Sequence, residues 1–418
     1  MMATGSGKTK AAMYAISQID TWKLLLICVP SLELVEQWEA DVRLFYPDVS
    51  IIKCGSPYRG HKELLKSLTQ ARFPEQVVVI STYDSAQGDY YMSKWRLAKS
   101  EQFAMICDEV HNMGAPKSQC LMELNPAYRI GLSATPRRNF DEIGSEKILD
   151  FYHQNTFEFS IKDAQREHYL VEYQYRILPC AMPEEDWELY KTFSREILQL
   201  QHTLEQEGNE KAQLRLRQRI EGRYRDRAKL LKKNDQKAQT LQTIFDEIPP
   251  TARVLIYGDD LHHLDEIGQE LDHMGKYYFK YTGELDAQKE RPTILKEFRQ
   301  GIRKTLLAVG CLDEGIDIPA CDVAVFISSS TSERQFIQRR GRVLRVAPGK
   351  TSAWIYDYLL YPILSARTND DERRLALSMI DAQYRRINLM VEDAINGIQE
   401  RQKLDQFLSQ RRLNPYDF

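Results

Sequence analysis

The sequence predicts an α/β protein of two tandem units, each a parallel sheet flanked by helices, with a helical insertion and a helical C-terminal tail. Three observations predict it. Short continuous apolar runs alternate with helical patterns in both halves of the chain, as in sheets covered on both faces. Those runs end in polar clusters, which puts a ligand site at the carboxyl ends of parallel strands. Between the halves, from Pro183 to about Ile248, the pattern turns helical and highly charged. The expected boundaries are 1–165 for the first unit, 166–182 for a linker with the first strand of the second, 183–248 for the insertion, 249–362 for the second unit and 363–418 for the tail.

Taken in order, the chain opens on Ala3-Thr4-Gly5-Ser6-Gly7-Lys8-Thr9, followed by a helical pattern through Ile16. Glycines before Lys-Thr and a helix form a phosphate-binding loop. Gly5 and Gly7 let backbone N–H groups around Ser6 turn inward onto phosphate oxygens. Lys8 reaches the phosphates as a point charge and Thr9 can ligate Mg²⁺. The strict pattern has Gly where Ala3 stands. A buried strand ordinarily precedes such a loop; here the loop stands at position one, so the expectation is a chain truncated at its N-terminus.

Leu24–Val29 is the next apolar run, ended by Pro30, with Ser31 as the expected cap of a helix through Leu34, Val35 and Trp38. Ile51-Ile52 is an expected edge strand. Val77–Ile80, Phe103–Cys107 and Tyr128–Leu132 are expected buried strands. They end in Ser81-Thr82-Tyr83, in Asp108-Glu109-Val110-His111 and in Ser133-Ala134-Thr135-Pro136 respectively. Tyr173–Leu178 alternates as a strand. After Pro249-Pro250 the alternation restarts: strands at Val254–Gly258, Tyr277–Tyr281, Thr305–Val309, Val323–Ile327 and Ala353–Tyr358, helices at Leu261–Leu271, Ile294–Phe298 and Gln335–Val343. The tail from about Asp370 to Leu408 has the pattern of an amphipathic helix.

Composition leaves the function class open. Formal net charge is −3 with 28% charged residues, so any basic site has to be local. The seven cysteines show no CxxC and no Cys/His ligand spacing, which argues against zinc and disulfide frameworks and fits a reducing, cytoplasmic setting. The longest apolar run is strand-sized, so neither a signal peptide nor a membrane span is expected.

Two constellations carry chemistry. Asp108-Glu109 follows a buried strand in the unit of the phosphate loop, and adjacent acids there can divide two tasks, Asp108 holding Mg²⁺ and Glu109 orienting water. Far downstream, Gln338-Arg339-Arg340-Gly341-Arg342-Val343-Leu344-Arg345 sets Arg342 and Arg345 on one helix face, where two guanidiniums suit a phosphate whose charge rises in the transition state. In the insertion, Lys211, Arg215, Arg219, Arg223 and Arg227 recur every four residues and are expected to share one face of a continuous helix, a basic stripe that either tracks a phosphate backbone or simply faces water. Gly222 is expected to weaken that helix.

ATGSGKT, VPSLELVEQW, STYD, DEVH, SATP, DEGIDIP and QFIQRRGRVLR stand in the order and rough spacing of the superfamily-two helicases and translocases, and their spellings resemble the XPB-like DEAD/DEAH-box branch. The resemblance covers residues 1 to about 360 apart from the insertion. It implies two RecA-like domains with ATP and Mg²⁺ between them and nucleic acid, DNA favoured over RNA, across them. Residue by residue it implies Lys8 and Thr9 on phosphate and metal, Asp108 and Glu109 as the metal and water carboxylates, and Ser133 and Thr135 as coupling residues. It implies Gly315 and Asp317 beside the nucleotide, Gln338, Arg342 and Arg345 completing the site, His111 linking the motor domains, and Pro30, Gln37, Thr82 and Tyr83 along nucleic acid. Val309 replaces a threonine frequent in the family, and Arg340 an apolar residue. The function implied is a DNA helicase or duplex translocase in repair or defence. The alternatives are a translocase subunit driving a nuclease partner, an RNA helicase, and a non-catalytic nucleic-acid clamp.

Overall fold

The computed structural model describes every residue except 56, 57, 59–75, 136–140, 233, 234, 284, 286–289, 310–320, 329–332, 366 and 414–418. The expected site residues Gly315 and Asp317 therefore lie outside the described residues. The chain divides into two compact units. The first takes in Met1–Leu170 and Arg340–Arg345; the second takes in Val171–Leu312, Ile318–Arg339 and Val346–Phe418.

The first unit is built on a five-stranded parallel sheet, β1 (Leu24–Val29), β2 (Ser50–Cys54), β3 (Val77–Thr82), β4 (Phe103–Asp108) and β5 (Tyr128–Leu132), in the order β2-β3-β1-β4-β5. Helices α1 (Lys8–Ser17) and α2 (Leu32–Phe45) pack against it. The run Leu24–Val29 is apolar throughout because β1 is central: it pairs with β3 on one side and β4 on the other. Alternation then divides its side chains between two cores. Leu24, Leu26 and Cys28 enter one, with Trp95, Met105 and Phe151; Leu25, Ile27 and Val29 enter the other, with Met13, Trp22 and Trp38.

Two local expectations are corrected. Tyr128–Leu132 was expected to be buried, yet β5 pairs with β4 alone among the described strands, and Gly131 is exposed while Tyr128, Arg129 and Ile130 are half-buried. An edge position accounts for this, and for the Arg129 guanidinium, which spends its N–H groups on the carbonyls of Pro126 and Phe151 and on Asn125 Oδ1. Ser31 holds the N-cap position of α2, but its hydroxyl makes no capping bond.

The second unit carries a six-stranded parallel sheet, β6 (Glu172–Met182), β7 (Val254–Tyr257), β8 (Phe279–Tyr281), β9 (Thr305–Ala308), β10 (Val323–Phe326) and β11 (Ser352–Pro362), in the order β6-β11-β10-β7-β9-β8. β6 and β11 pair over their whole length, Glu172 opposite Ser352 to Met182 opposite Pro362. β6 is an edge strand, and the tail covers it. Asn396 accepts from Tyr175 N and donates to Tyr175 O, both at 2.9 Å, while the buried Glu400 accepts from Ile177 N at 3.3 Å. Side chains thus occupy backbone groups that would otherwise template another strand. The tail is two helices, Asp370–Val391 and Gly397–Gln410, where one was expected. They part at residues 392–396, and a Cβ on Gly397 would lie 1.8 Å from the Val391 carbonyl oxygen.

The insertion folds as a hairpin of two 23-residue helices, Glu184–Gln206 and Glu210–Lys232, followed by short helices at Asp235–Gln239 and Leu241–Glu247. The arginine stripe does not stay on one face. Four residues overshoot a helical turn by about 40°, so the stripe wraps through roughly 160° between Lys211 and Arg227. Lys211, Arg215 and Arg219 are exposed. Arg223 instead pairs with Glu196 at 2.6 Å and Asp226 at 2.9 Å. Arg227 donates to Ser194 Oγ and lies over the Tyr190 ring. The helix runs unbroken through Gly222, where an added Cβ meets nothing within 4 Å. Gly222→Ala is therefore expected to raise stability by about 0.5–1 kcal/mol, read as a rise in denaturation midpoint; a lower midpoint would mean that the helix is under constraint there.

Candidate nucleotide site

The loop before α1 owes its shape to two glycines, Gly5 at φ 86° and Gly7 at φ 88°, a region where other residues are strained. Gly7 is the N-cap of α1; no side chain among the described residues caps the helix, and no acid stands in its first turn. The positive end of the helix is thus left to an anion from outside. Ser6 closes the turn, its Oγ donating to Ala3 O at 2.7 Å. Lys8 Nζ is buried, makes no hydrogen bond among the described residues, and lies 3.8 Å from Glu109 Oε1. That separation gives attraction without a hydrogen bond, and leaves the ammonium donors to a ligand.

The acidic pair stands at the end of β4. Asp108 is held on three sides: Trp38 Nε1 donates to Oδ2 at 2.9 Å, Glu109 N donates to Oδ1 at 3.0 Å, and the Tyr83 hydroxyl donates to its carbonyl at 2.9 Å. Glu109 adopts φ 46°, ψ 56°, the left-handed region, which costs a side chain about 1–2 kcal/mol and persists only where neighbours impose it. Its carboxylate faces Lys8 with one oxygen; the other lies 3.5 Å from His111 Nδ1. His111 Nδ1 is also 3.5 Å from Ser133 Oγ, which accepts from Thr135 N at 3.1 Å. Lys8, Glu109, His111, Ser133 and Thr135 therefore form one chain of contacts inside the first unit. Thr135 Oγ1 is buried without a hydrogen bond. At the rim, half-buried Asp41 has its pKa raised, first by burial, with the Asp108 charge adding and Lys10 opposing.

Residues 340–345 pack in the first unit. The Gly341 carbonyl would lie 2.5 Å from a Cβ on Gly5. Arg342 and Arg345 do not share a helix face as expected: the helix ends at Val343, and Arg345 lies beyond it in an antiparallel bridge with Leu170. Gln338 and Arg342 are buried.

Among the expected nucleic-acid contacts, Gln37 is exposed on α2 and Pro30 is half-buried after β1. Thr82 and Tyr83 are spent inside the unit. Thr82 caps the helix Tyr83–Ala86 by accepting from Ser85 N, and Tyr83 is buried against Asp108. Tyr83 thus holds the backbone of the acidic pair, and Thr82 caps the short helix that carries Tyr83. Sequence reasoning missed Trp38 as an orienting residue. Its signal was available, since a buried indole N–H needs an acceptor.

These residues fit a nucleoside triphosphate with a divalent cation. The first turn of α1 leaves backbone N–H groups without intrahelical partners, Lys8 brings an ammonium with no hydrogen bond among the described residues, and Thr9 and Asp108 have the hard oxygens that could hold such a cation.

Residues 1–138 match the family described as type III restriction enzyme, res subunit, and residues 236–347 match the helicase conserved C-terminal domain. The DNA 3'-5' translocase XPB2 of Sulfurisphaera tokodaii is 24% identical over 362 residues, covering 82% of this chain and 74% of the relative. A putative DNA 3'-5' helicase Rad25 of Haloarcula marismortui is 27% identical over 353 residues, 82% of this chain and 47% of the relative. Among solved structures, the Hef helicase domain of Pyrococcus furiosus superposes with a TM-score of 0.52 at 17% identity, covering 86% of this chain and 91% of that one. The type ISP restriction-modification enzyme LlaBIII bound to DNA gives 0.58 at 17% identity, 94% of this chain and 28% of that one. At such identities the two structures speak for the fold alone.

Proposed function

We propose that this chain, which belongs to the superfamily-two helicases and translocases on their XPB-like branch, is an ATP-dependent DNA motor. The observation that carries the reading is the set of Lys8, Asp108 and Glu109 on one phosphate loop and one strand end, with Glu109 joined through His111 to Ser133 and Thr135. Lys8 draws the terminal phosphate toward the loop N–H groups. Glu109 orients the attacking water and takes its proton. Thr9 and Asp108 would hold Mg²⁺, which when bound neutralises charge on the phosphates. Arg342 and Arg345 act as fingers on the charge that grows during transfer. Loss of the phosphate changes what Glu109 faces, and His111 carries that change to the Ser133–Thr135 turn. We assign the RecA-like domains, insertion and tail the boundaries given above, except that residues 166–170 and 340–345 go with the first domain.

DNA is the nucleic acid in the names of both relatives described, and 3′ to 5′ is the polarity to test. The exposed part of the hairpin, Lys211, Arg215 and Arg219, grips the phosphate backbone. Replacing Arg215 and Arg219 by alanine is expected to weaken duplex binding and to lower the slope of log affinity against log salt by about 2. Arg223→Ala should change it less, because Arg223 is already neutralised by Glu196 and Asp226. Fluorescence anisotropy across a salt series decides, and an unchanged slope in the double variant removes the hairpin from the DNA path.

The match of residues 1–138 to a restriction-enzyme subunit favours a second reading of the same motor, as the translocating part of an assembly whose nuclease is a partner. Co-purification with a nuclease, and DNA cleavage that needs ATP and both proteins, would select it. No helix among the described residues is long and apolar enough to cross a membrane.

A further inference from the structure

We propose that Lys237 is a positioning residue that couples the basic hairpin to the helix Glu333–Val343, so that nucleic acid held by the hairpin is felt in ATP hydrolysis. The proposal rests on the motor reading. Lys237 is 1% exposed, and its ammonium spends three donors on three carbonyls: Leu231 at 2.6 Å, Lys232 at 3.4 Å and Ile327 at 3.0 Å. Leu231 and Lys232 end the second hairpin helix, where the last carbonyls lack partners within the helix. Ile327 directly follows β10. The next carbonyl, of Ser328, accepts from Arg339 Nη1 at 3.1 Å, and Arg339 belongs to the helix that carries Gln338 and Arg342. Its guanidinium rests over the Tyr257 ring. One ammonium therefore ties the end of the hairpin to the segment that holds the finger helix.

The lysine backbone is pinned separately. Its carbonyl accepts from Thr240 Oγ1 and from the Tyr358 hydroxyl. Lys232 gives the hairpin end a second hold, on Asp259 at 2.8 Å. A role confined to packing would be filled at lower cost by an apolar side chain, since burying a charge is unfavourable unless its partners require it. Here the partners are carbonyls from two elements.

Burial pushes the Lys237 pKa down to about 7 and the nearby Arg386 adds to this; Cys180, Asp357 and Asp259 pull the other way. Tyr358, whose ring lies 5.8 Å from the ammonium, stays neutral, its own pKa raised by burial. The hold on all three carbonyls needs the ammonium, and half of it is gone at about pH 7; above that the neutral amine keeps two N–H donors and turns a lone pair toward the third carbonyl, which weakens the tie. Stability runs the other way. The unfolded chain keeps the proton up to about pH 10.5, so between the two pKa values it binds more protons than the folded chain and stability rises with pH. Coupling and stability moving in opposite directions is a signature that packing alone would not give.

The test uses the full chain and its Lys237→Met variant, with ATP hydrolysis measured with and without saturating duplex DNA from about pH 6.5 to about pH 8.5. In the wild type the stimulation by DNA should fall as pH rises while the melting temperature does not. In Lys237→Met the stimulation should be about fivefold weaker at the acidic end and independent of pH, with basal hydrolysis and DNA affinity retained. Equal stimulation and an equal pH profile in the two proteins overturn the proposal. If Lys237→Met does not fold, the wild-type profile decides, and stimulation constant across the window overturns it. Wild-type hydrolysis indifferent to DNA overturns the motor reading along with it, whereas stimulated wild type with an unaltered variant overturns only the role of Lys237.

Discussion

Glu109→Gln is expected to reduce DNA-stimulated ATP hydrolysis by about 10²–10³-fold while nucleotide and DNA still bind, because a general base contributes about that much. Glutamine keeps the size of the side chain and tolerates the left-handed backbone no worse than glutamate, so the change isolates the carboxylate. It also removes a negative charge 3.8 Å from the Lys8 ammonium, where the triphosphate must sit, so ATP affinity should hold or rise. Asp108 keeps its bond from Trp38 and its carbonyl keeps the Tyr83 hydroxyl, so the metal ligand stays in place. A steady-state rate and a nucleotide titration on the same preparation check this. A variant that hydrolyses at half the wild-type rate or more would show that Glu109 is not the water-orienting base.

Lys8→Ala acts one step earlier. Its ammonium makes no hydrogen bond among the described residues, so little stability should be lost and the melting temperature should stay close to wild type. A charge-assisted hydrogen bond to phosphate is worth about 1.5–3 kcal/mol, so ATP affinity should fall by roughly 10- to 150-fold, with hydrolysis lost at ordinary concentrations. The two substitutions thus separate binding from chemistry. Lys8→Ala fails to hold ATP, and Glu109→Gln holds it without cleaving it. Equal ATP affinity in wild type and Lys8→Ala would take the lysine out of the site.

The parts of the fold that sequence reveals are those with one dominant constraint. β1, β3 and β4 are buried on both faces, so unbroken apolar runs mark them. The phosphate loop is legible because backbone turned onto an anion needs glycine at particular places, and Gly5 and Gly7 supply the positive φ. β5 was misjudged because strand propensity says nothing about edge or centre. The arginine stripe was misjudged for a geometric reason: a repeat of four drifts around a helix, and what Arg223 and Arg227 meet depends on a second helix the stripe does not encode. Tyr83 sits in a motif that points outward in a one-dimensional reading, but its hydroxyl reaches back beneath the acidic pair. Lys237 had no sequence signal at all, being one lysine in a charged segment until the ends of a helix and a strand converge on it.

The central claim is that this chain turns ATP hydrolysis into work on DNA. The most direct measurement is the rate of ATP hydrolysis by the wild-type chain with duplex DNA, with single-stranded DNA, with RNA and with none, beside Glu109→Gln under the same conditions. The account predicts strong stimulation by DNA, weaker stimulation by RNA, and the loss of all stimulated hydrolysis in Glu109→Gln. Hydrolysis that is insensitive to every nucleic acid, or that survives in Glu109→Gln, would contradict it.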